Sequence, residues 1–426
     1  MVRIVVIGGG WAGTGSAVAA AQAGAKVTLL ERTDMLLGTG LVGGIMRNNG
    51  RFTATEEAVC MGAGEVFQVI DRTCRHKNIE FPGHKHASLY DVARIEPAIK
   101  GLLKEKGVEV RTKSRVKDVK TENNIITGVI LENEEVVNGD VFIETTGSAG
   151  PMGNCVKYGN GCAMCVLRCP TFGGRVSIAA KAGIKESVAK KSDGSIGAMS
   201  GSCKLFKESL APEMVERLDK YGVVIVPIPE ALRKGEGILA KKACQQYALA
   251  EFAENIILLD TGHAKLMAPF YPLDLLRQIP GFEYARYEDP YSGGMANSIR
   301  YLALSPRDNS LRVEGLDNLF CAGEKAGPLV GHTEAIVTGS LAGHNAVRRA
   351  LGRETLVIPS DLAIGDAIAY VGDQMRTEEG LSKKYTFSGS VYFQRMKEKG
   401  LYSTNLDVIR ARVNRTGMTD IFKKNC

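Results

Sequence analysis

The first thirty residues alternate between apolar runs and small residues in an order that predicts strand, turn, helix and strand. Residues 2–7 (VRIVVI) are a continuous, largely β-branched run, which is typical of a buried parallel strand. A glycine-rich turn and an Ala-rich segment follow, and residues 26–31 (KVTLLE) predict the second strand. This order is that of an α/β dinucleotide-binding unit.

The glycine-rich turn supplies the chemistry that such a unit needs. In Gly8-x-Gly10-x-x-Gly13 the first glycine permits the tight turn and the second lets a pyrophosphate approach the backbone. The third lets helix and strand pack closely, with phosphate at the helix N-terminus. Glu31 ends the second strand, where a carboxylate can bind both ribose hydroxyls, and Arg32 beside it can reach a phosphate.

Four later stretches favour FAD over NAD. Residues 38–44 (GTGLVGG) are glycine-dense, and residues 108–147 predict a β-meander that feeds another strand. Residues 318–327 (NLFCAGEKAG) predict a strand and an acidic residue that can face a ribityl hydroxyl. The Ala/Gly-rich helix at 330–351 can face the flavin pyrimidine ring with its N-terminus. The further cofactor-binding residues predicted from these stretches are Val116, Gly147, Gly323, Glu324, Gly331, His332, Thr333 and Ala335.

These stretches predict an α/β, Rossmann-type flavoprotein with a two-dinucleotide-binding-domain fold. The FAD-binding domain is split between residues 1–150 and 266–352, and residues 151–265 form an inserted α/β substrate domain. Residues 353–426 are predicted to be a helical cap or dimerisation element, so a homodimer is expected. Because no second strand–GxGxxG–helix unit follows the first, electrons are expected from transiently docked NAD(P)H or from an electron-donor protein.

Composition places the chain among ordinary soluble proteins. Of its 426 residues, 44% are hydrophobic and 24% are charged. No apolar run approaches the ~20 residues that cross a bilayer, and the first predicted strand directly follows Met1, so we expect a cytoplasmic protein without membrane partners. Ten cysteines in that setting argue for thiol, metal or redox chemistry rather than a disulfide scaffold.

The most unusual stretch is residues 159–170 (GNGCAMCVLRCP). Cys162, Cys165 and Cys169 reproduce the last three ligands of the bacterial ferredoxin run, and Cys155 can supply a fourth thiolate. Four hypotheses stay open: an Fe–S cluster, a redox-active Cys162–Cys165 dithiol, a zinc site, or buried cysteines without chemistry. As electron relay or reactive thiols, these three cysteines are candidate catalytic residues.

Charge is concentrated around this stretch. Residues 153–191 carry seven bases and one acid, which is most of the net charge of +7. A solvated helix face explains this, as does an anionic substrate, an acidic protein, RNA or the cluster itself. Among the histidines, His332 is the candidate for a flavin-facing catalytic role. His84 and His86 lie in a Pro/Gly loop and are predicted to be at the surface.

Residues 300–320 and 318–349 resemble a signature of FAD-dependent oxidoreductases related to the tRNA-modifying flavoproteins MnmG and TrmFO. The resemblance covers residues 1–150 and about 266–352, and it implies FAD as cofactor. TrmFO-like enzymes carry a reactive cysteine soon after the glycine-dense segment. The matching loop here (GGIMRNNGR) has Met46 and Asn48 instead.

The function expected on these grounds is FAD-dependent transfer of hydride or electrons to a small-molecule or protein redox substrate. The cysteine-rich segment would act as relay or reactive thiols. One alternative is a methylating enzyme that uses FAD and folate on RNA, and the missing loop cysteine argues against it. The other alternative is a non-catalytic flavoprotein subunit of a redox complex.

Overall fold

The computed structural model describes residues 1–147, 171–190, 194–196, 203–235, 237, 239, 247–267, 271–288 and 302–424. The strands are β1 (Arg3–Ile7), β2 (Lys26–Leu30), β3 (Ile45–Met46), β4 (Cys74–Phe81), β5 (His84–Tyr90), β6 (Glu109–Arg111), β7 (Val116–Glu122), β8 (Ile125–Leu131), β9 (Val136–Asn138), β10 (Val141–Glu144), β11 (Ser187–Val188), β12 (Cys203–Leu205), β13 (Val223–Pro227), β14 (Asn255–Asp260), β15 (Ala264–Leu266), β16 (Ala303–Leu304) and β17 (Leu319–Cys321).

The α-helices are α1 (Trp11–Gln22), α2 (Gly40–Gly43), α3 (Gly50–Cys60), α4 (Glu65–Arg72), α5 (Ile95–Glu105), α6 (Ile178–Lys181), α7 (Pro212–Tyr221), α8 (Glu251–Glu254), α9 (Leu273–Leu276), α10 (His332–Ala350), α11 (Ala363–Gln374), α12 (Glu378–Leu381), α13 (Ser390–Glu398) and α14 (Leu406–Arg415). Short 3-10 turns lie at Lys207–Ser209, Glu230–Leu232, Gly323–Lys325 and Ile421–Lys423.

A five-stranded parallel sheet in the order β17-β10-β1-β2-β6 forms the centre of the fold. Strand β1 lies in the middle, where Ile4 is opposite both Val141 and Val27. Strand β17 lies far along the chain from β10 yet pairs with it, with Phe142 opposite Leu319. The two predicted halves of the FAD domain therefore share one sheet, and the Rossmann-type α/β fold is confirmed.

Helix α10 packs directly against helix α1, and glycines make the close approach possible. A Cβ on Gly339 would overlap the carbonyl oxygen of Ala12, and a Cβ on Gly343 would overlap that of Ser16. Because both helices begin beside the carboxyl-terminal edge of the sheet, this packing fixes where the first turn of α10 lies.

The remaining strands form smaller sheets. The inserted region folds around an antiparallel sheet in the order β12-β15-β14-β13, whose core extends from Cys203 to Tyr287. Strands β7, β8 and β9 form the predicted meander, β3, β5 and β4 form a third sheet, and β11 pairs with β16. The domain boundaries given above stay predictions.

The C-terminal region is helical, as predicted. Helices α11, α13 and α14 pack into the same core as the central sheet through residues such as Ile364, Tyr392 and Val413. A role for this region in dimerisation stays a prediction. Among the residues that the structure describes, no helix has both the length and the apolar character that a membrane span requires.

Candidate cofactor site

A cleft lies at the carboxyl-terminal edge of the parallel sheet, where β1, β2 and β10 end. In open α/β sheets, this edge is where nucleotides bind. The cleft extends from the glycine-rich turn after β1 to the turn after β17. Seven of the predicted cofactor-binding residues line it: Gly8, Gly10, Glu31, Arg32, Val116, Gly147 and Glu324. The fold thus collects separate stretches of sequence around one cavity.

The three glycines of the first turn differ in what they contribute. Gly8 has a φ of +106°, and a Cβ there would lie 2.5 Å from the Thr145 carbonyl oxygen. A Cβ on Gly13 would overlap the Gly8 carbonyl oxygen, so α1 can approach β1 only with glycine here. Gly10 is the N-cap of α1, and no atom lies within 4 Å of its Cβ position. This helix end is therefore open to a pyrophosphate.

Glu31 is buried and already oriented for a ribose. Its Oε2 accepts a hydrogen bond from the Gly9 N–H at 2.8 Å, and its Oε1 accepts from the N–H and hydroxyl of Thr33 at 2.8 and 3.0 Å. A carboxylate offers about four acceptor positions, so acceptor capacity is left over. A ribose hydroxyl can therefore donate to Glu31 without displacing these contacts.

Residues 173–176, called the strap below, run along the same end of the cleft. The Nη1 of Arg32 donates to the Gly173 carbonyl oxygen at 2.6 Å, and the Nε of Arg115 donates to that of Gly174 at 2.8 Å. Three of the four strap residues line the cleft. The structure therefore gives Arg32 a structural contact with the strap, besides the phosphate contact predicted for it.

The opposite end of the cleft is formed by Glu324 in the 3-10 turn Gly323–Lys325, and the start of α10 lies beside this turn. The Gly323 N–H donates to Thr338 Oγ1 at 3.0 Å, and a Cβ on Gly323 would lie 2.9 Å from the Ala12 Cβ. Of the cofactor residues predicted here, only Glu324 belongs to the lining described above. The others are grouped beside it: Gly323, Gly331, His332, Thr333 and Ala335.

His332, the predicted flavin-facing residue, is the first residue of α10. Its ring packs on the backbone of Gly43, its Nδ1 lies 3.3 Å from the Tyr90 hydroxyl, and its centroid is 6.2 Å from that of Trp11. Trp11 Nε1 and Thr333 Oγ1 are buried, and neither has a hydrogen-bond partner among the described residues. Neither residue belongs to the lining of the cleft.

A buried ionic cluster holds the turn after β17 in place. The Lys325 side chain is fully buried, and its Nζ forms an ion pair with Glu186, donates to Ser177 Oγ at 3.0 Å and lies 3.6 Å from Glu144. The Glu144 carboxylate also accepts the first two backbone N–H groups of α6, at 2.8 Å each. The cluster therefore joins strand β10, the turn carrying Glu324 and the inserted region.

The predicted cysteine cluster lies outside the described residues: Cys155, Cys162, Cys165 and Cys169. Within the residues that are described, no group of three or more His, Cys, Asp or Glu side chains is arranged to hold a metal ion. Burial raises the pKa of the Cys74 and Cys321 thiols to about 12, which disfavours reactive thiolates there. The Fe–S and redox-cysteine hypotheses gain no support from the structure.

The prediction that His84 is at the surface is wrong. Its side chain is 2% exposed, stacks on Phe81 with ring centroids 4.7 Å apart and lies 4.8 Å from the Tyr247 ring. The flanking polar and glycine residues suggested an exposed loop. Instead, the β4–β5 hairpin packs against the inserted region, and Phe81 belongs to the same core cluster as Phe252.

Several lining residues were not identified from the sequence: Thr39, Ser114, Arg115, Thr145, Thr146 and Arg175. Thr145 and Thr146 directly follow β10, so the rule that ligands bind beyond the carboxyl ends of parallel strands could have identified them. Arg115 lines the cleft and contacts Gly174, 59 positions further along the chain, and no local pattern signals this contact.

The parallel sheet, the glycine-rich turn and the buried acid Glu31 beside it together define a protein of the FAD/NAD(P)-binding fold. The family described as "Glucose inhibited division protein A" (GidA) matches residues 3–225 and 265–354, which is more than half of the chain. The protein therefore belongs to this family. The relation to the MnmG and TrmFO flavoproteins that the sequence suggested is thereby confirmed, and it supports FAD as the cofactor.

Curated relatives match over shorter segments. The enzyme named methylenetetrahydrofolate–tRNA-(uracil-5-)-methyltransferase TrmFO from Anoxybacillus flavithermus is 32% identical over 173 residues, which are 39% of this chain and 38% of that protein. The enzyme of the same name from Caldicellulosiruptor bescii is 30% identical over 114 residues, 26% of this chain and 25% of that protein. The matches thus span a quarter to about two-fifths of these relatives.

Solved structures of Aquifex aeolicus GidA share the fold. The form II crystal has a TM-score of 0.72 at 18% identity and covers 100% of this chain and 74% of that chain. The form I crystal has a TM-score of 0.64 at 17% identity and covers 97% of this chain and 78% of that chain. The likeness therefore extends over the inserted and C-terminal regions as well as the FAD-binding domain.

Proposed function

We propose that this protein binds FAD in the cleft and uses it to modify a base of tRNA. Membership of the GidA family and the TrmFO relatives support this reading. They favour the RNA-modifying alternative over a small-molecule or protein oxidoreductase. The observation that carries the proposal is the cleft itself, in which a buried Glu31 and the open N-terminus of α1 lie at one end and Glu324 lies at the other.

The residues that line the cleft fit the ADP half and the ribityl chain of FAD. The open N-terminus of α1 at Gly10 would hold the pyrophosphate, and Glu31 would bind the adenosine ribose. Glu324 would face the ribityl chain, and the first turn of α10 with Thr333 and Trp11 would face the ring. When bound, FAD supplies hydride or electron transfer. The chain's own part is to orient the ring and to exclude water from it.

The described loop after α2 supplies no thiol for a covalent mechanism. Where TrmFO-like enzymes carry a reactive cysteine, the described loop has Met46 and Asn48, both fully buried. Cys60 lies at the far end of α3, and burial raises its pKa. In the proposed base modification with a one-carbon donor, this loop therefore contributes no nucleophile.

A basic surface beside the cleft suits a polyanionic substrate. Lys181 and Lys185, from the described part of the basic stretch, are exposed on and just after α6. Arg175 lines the cleft, and Lys190 pairs with Glu378 across to helix α12. Lys185, Arg175 and Lys181, which also lies 3.9 Å from Asp118, would contact the phosphate backbone of tRNA beside the proposed cofactor.

Two measurements test the proposal. Purified protein should absorb near ~450 nm and release FAD on denaturation, and a colourless protein that takes up no FAD would refute the cofactor assignment. tRNA binding should fall steeply with added salt, and the double variant Lys181→Glu/Lys185→Glu should weaken it more than Lys397→Glu on the distant helix α13.

The reaction itself is tested on unmodified tRNA. With the reduced cofactor and a folate one-carbon donor, mass spectrometry of digested tRNA should show a new modified nucleoside. tRNA that neither binds nor gains mass, with FAD bound normally, would contradict the RNA-modifying function and favour the oxidoreductase reading.

A further inference from the structure

Helix α10 begins with a buried ion pair. The Nε of Arg51, on helix α3, lies 3.1 Å from both carboxylate oxygens of Glu334, in the first turn of α10, and the two side chains are 5% and 0% exposed. Glu334 Oε1 also accepts the Thr386 hydroxyl at 2.6 Å and the Phe387 N–H at 2.9 Å. Through these contacts, the ion pair joins helix α3, helix α10 and residues 386–387 of the C-terminal region.

Gly331 shows how closely the pair is fitted to the start of the helix. A Cβ on Gly331 would overlap both Glu334 Oε2 and Arg51 Nη2, and its φ of +147° favours glycine. The glycine that the sequence assigned to cofactor binding is therefore also required by the ion pair. The Arg51–Glu334 ion pair therefore lies directly against the N-terminus of α10.

The guanidinium is held from its other side as well. The Nη1 of Arg51 donates to Asn48 Oδ1 at 3.2 Å, which orients the Asn48 amide so that its Nδ2 donates to His84 Nδ1 at 3.0 Å. Because Arg51 can only donate hydrogen bonds, the direction of this chain is fixed. Arg51 is thus fixed between the Glu334 carboxylate and a buried neutral amide.

A carboxylate in the first turn has two opposite effects. It interacts favourably with the positive end of the helix dipole, but it repels any negative charge that a ligand brings to the same N–H groups. Buried charges are weakly screened, so this repulsion would reach a ring bound beside the first turn. Arg51 supplies the positive charge that cancels it.

We propose that Arg51 is a positioning residue that neutralises Glu334 and so lets the start of α10 stabilise negative charge on the flavin ring. The proposal rests on FAD binding in the cleft. Reduction with dithionite delivers two electrons to the ring, and solvent supplies one proton, so the ring gains one negative charge. With Arg51 in place, the protein binds reduced FAD more tightly than it would otherwise.

The test is a charge cycle read out as the midpoint potential of bound FAD. Arg51→Met should lower the affinity for reduced relative to oxidised FAD at least tenfold, which moves a two-electron potential about 30 mV more negative. Glu334→Gln should move it in the opposite direction, and the double variant should return close to wild type. Arg51→Lys, which keeps the charge, should also stay near wild type.

Arg395→Met is the matched control. Arg395 on helix α13 pairs with the buried Asp366 on helix α11, and neither residue lines the cleft. This variant should leave the potential unchanged. A merely structural role for Arg51 predicts weaker FAD retention in both single variants without shifts of opposite sign, and that result would overturn the inference. If Arg51→Met does not fold, the direction in which Glu334→Gln shifts the midpoint potential of bound FAD still tests the inference. Wild-type protein without FAD refutes the proposed function instead.

Discussion

Replacing Lys325 with methionine removes a single buried positive charge from between two carboxylates. Its Nζ pairs with Glu186, lies 3.6 Å from Glu144 and donates to Ser177 Oγ at 3.0 Å. All three charged side chains are nine-tenths or more buried. Methionine has a similar length and no charge, so the packing is kept while the two acids lose their counter-ion.

The structure sets the size of the effect. One pair of unit charges 3.6 Å apart in an effective dielectric of ~20 contributes about 4–5 kcal/mol. Breaking a buried ion pair by removing one partner typically costs about 3–5 kcal/mol. We therefore expect Lys325→Met to lower the free energy of unfolding by about 3–5 kcal/mol, a large share of the ~5–15 kcal/mol that domains have.

Urea unfolding measures this loss directly. Trp11, the single tryptophan, is buried beside the cleft and reports the transition by fluorescence. Adding Glu186→Gln to Lys325→Met should recover part of the loss, because one uncompensated acid is removed. The control Lys383→Met breaks an exposed pair with Glu379 and should change little. A loss below about 1 kcal/mol for Lys325→Met would refute the reasoning.

Three further predictions follow from single contacts. Gly10→Ala should keep the melting temperature near wild type but weaken FAD binding at least about tenfold, because the added methyl enters the space open to the pyrophosphate; Gly13→Ala should instead lower the melting temperature, because its Cβ overlaps backbone. Calorimetry and FAD titration separate the two. Burial lowers the pKa of His344 to about 4, below its unfolded value of ~6.5, so stability should fall by up to roughly 3 kcal/mol as pH drops from about 6.5 to 4, and His344→Leu should flatten that pH dependence in urea unfolding. Arg32→Met frees the strap at Gly173 and should speed FAD release several-fold in stopped-flow fluorescence, whereas an unchanged rate would show that the strap does not retain the cofactor.

The parts of the fold that local chemistry determines were predictable. The β-branched run before Gly8 and the glycine spacing after it specify strand, turn and helix within twenty residues, and the structure has β1 and α1 there. Glu31 reaches the cleft because it ends a strand next to β1, which spacing alone indicates. The same holds for Glu324 after β17.

Contacts between distant segments were not predictable. Arg51 and Glu334 are 283 positions apart in the sequence, and Lys325 and Glu186 are 139 positions apart. No local sequence pattern indicates either ion pair. His84 was misassigned for a related reason. Its neighbours are polar, and its burial depends on a hairpin packing against a domain inserted far along the chain.

The two buried ionic clusters connect different pairs of segments beside the same cleft. Lys325 joins the turn carrying Glu324 to the inserted region, and Arg51 joins the start of α10 to the C-terminal region. Apolar packing alone tolerates small shifts, whereas a fully satisfied buried ion pair is strongly destabilised when its partners separate. The turn after β17 and the start of α10, which we propose to hold the flavin, are therefore fixed by charge to the inserted region and to the C-terminal region. It follows that mutations in those outer segments should change the flavin environment without touching a residue of the cleft.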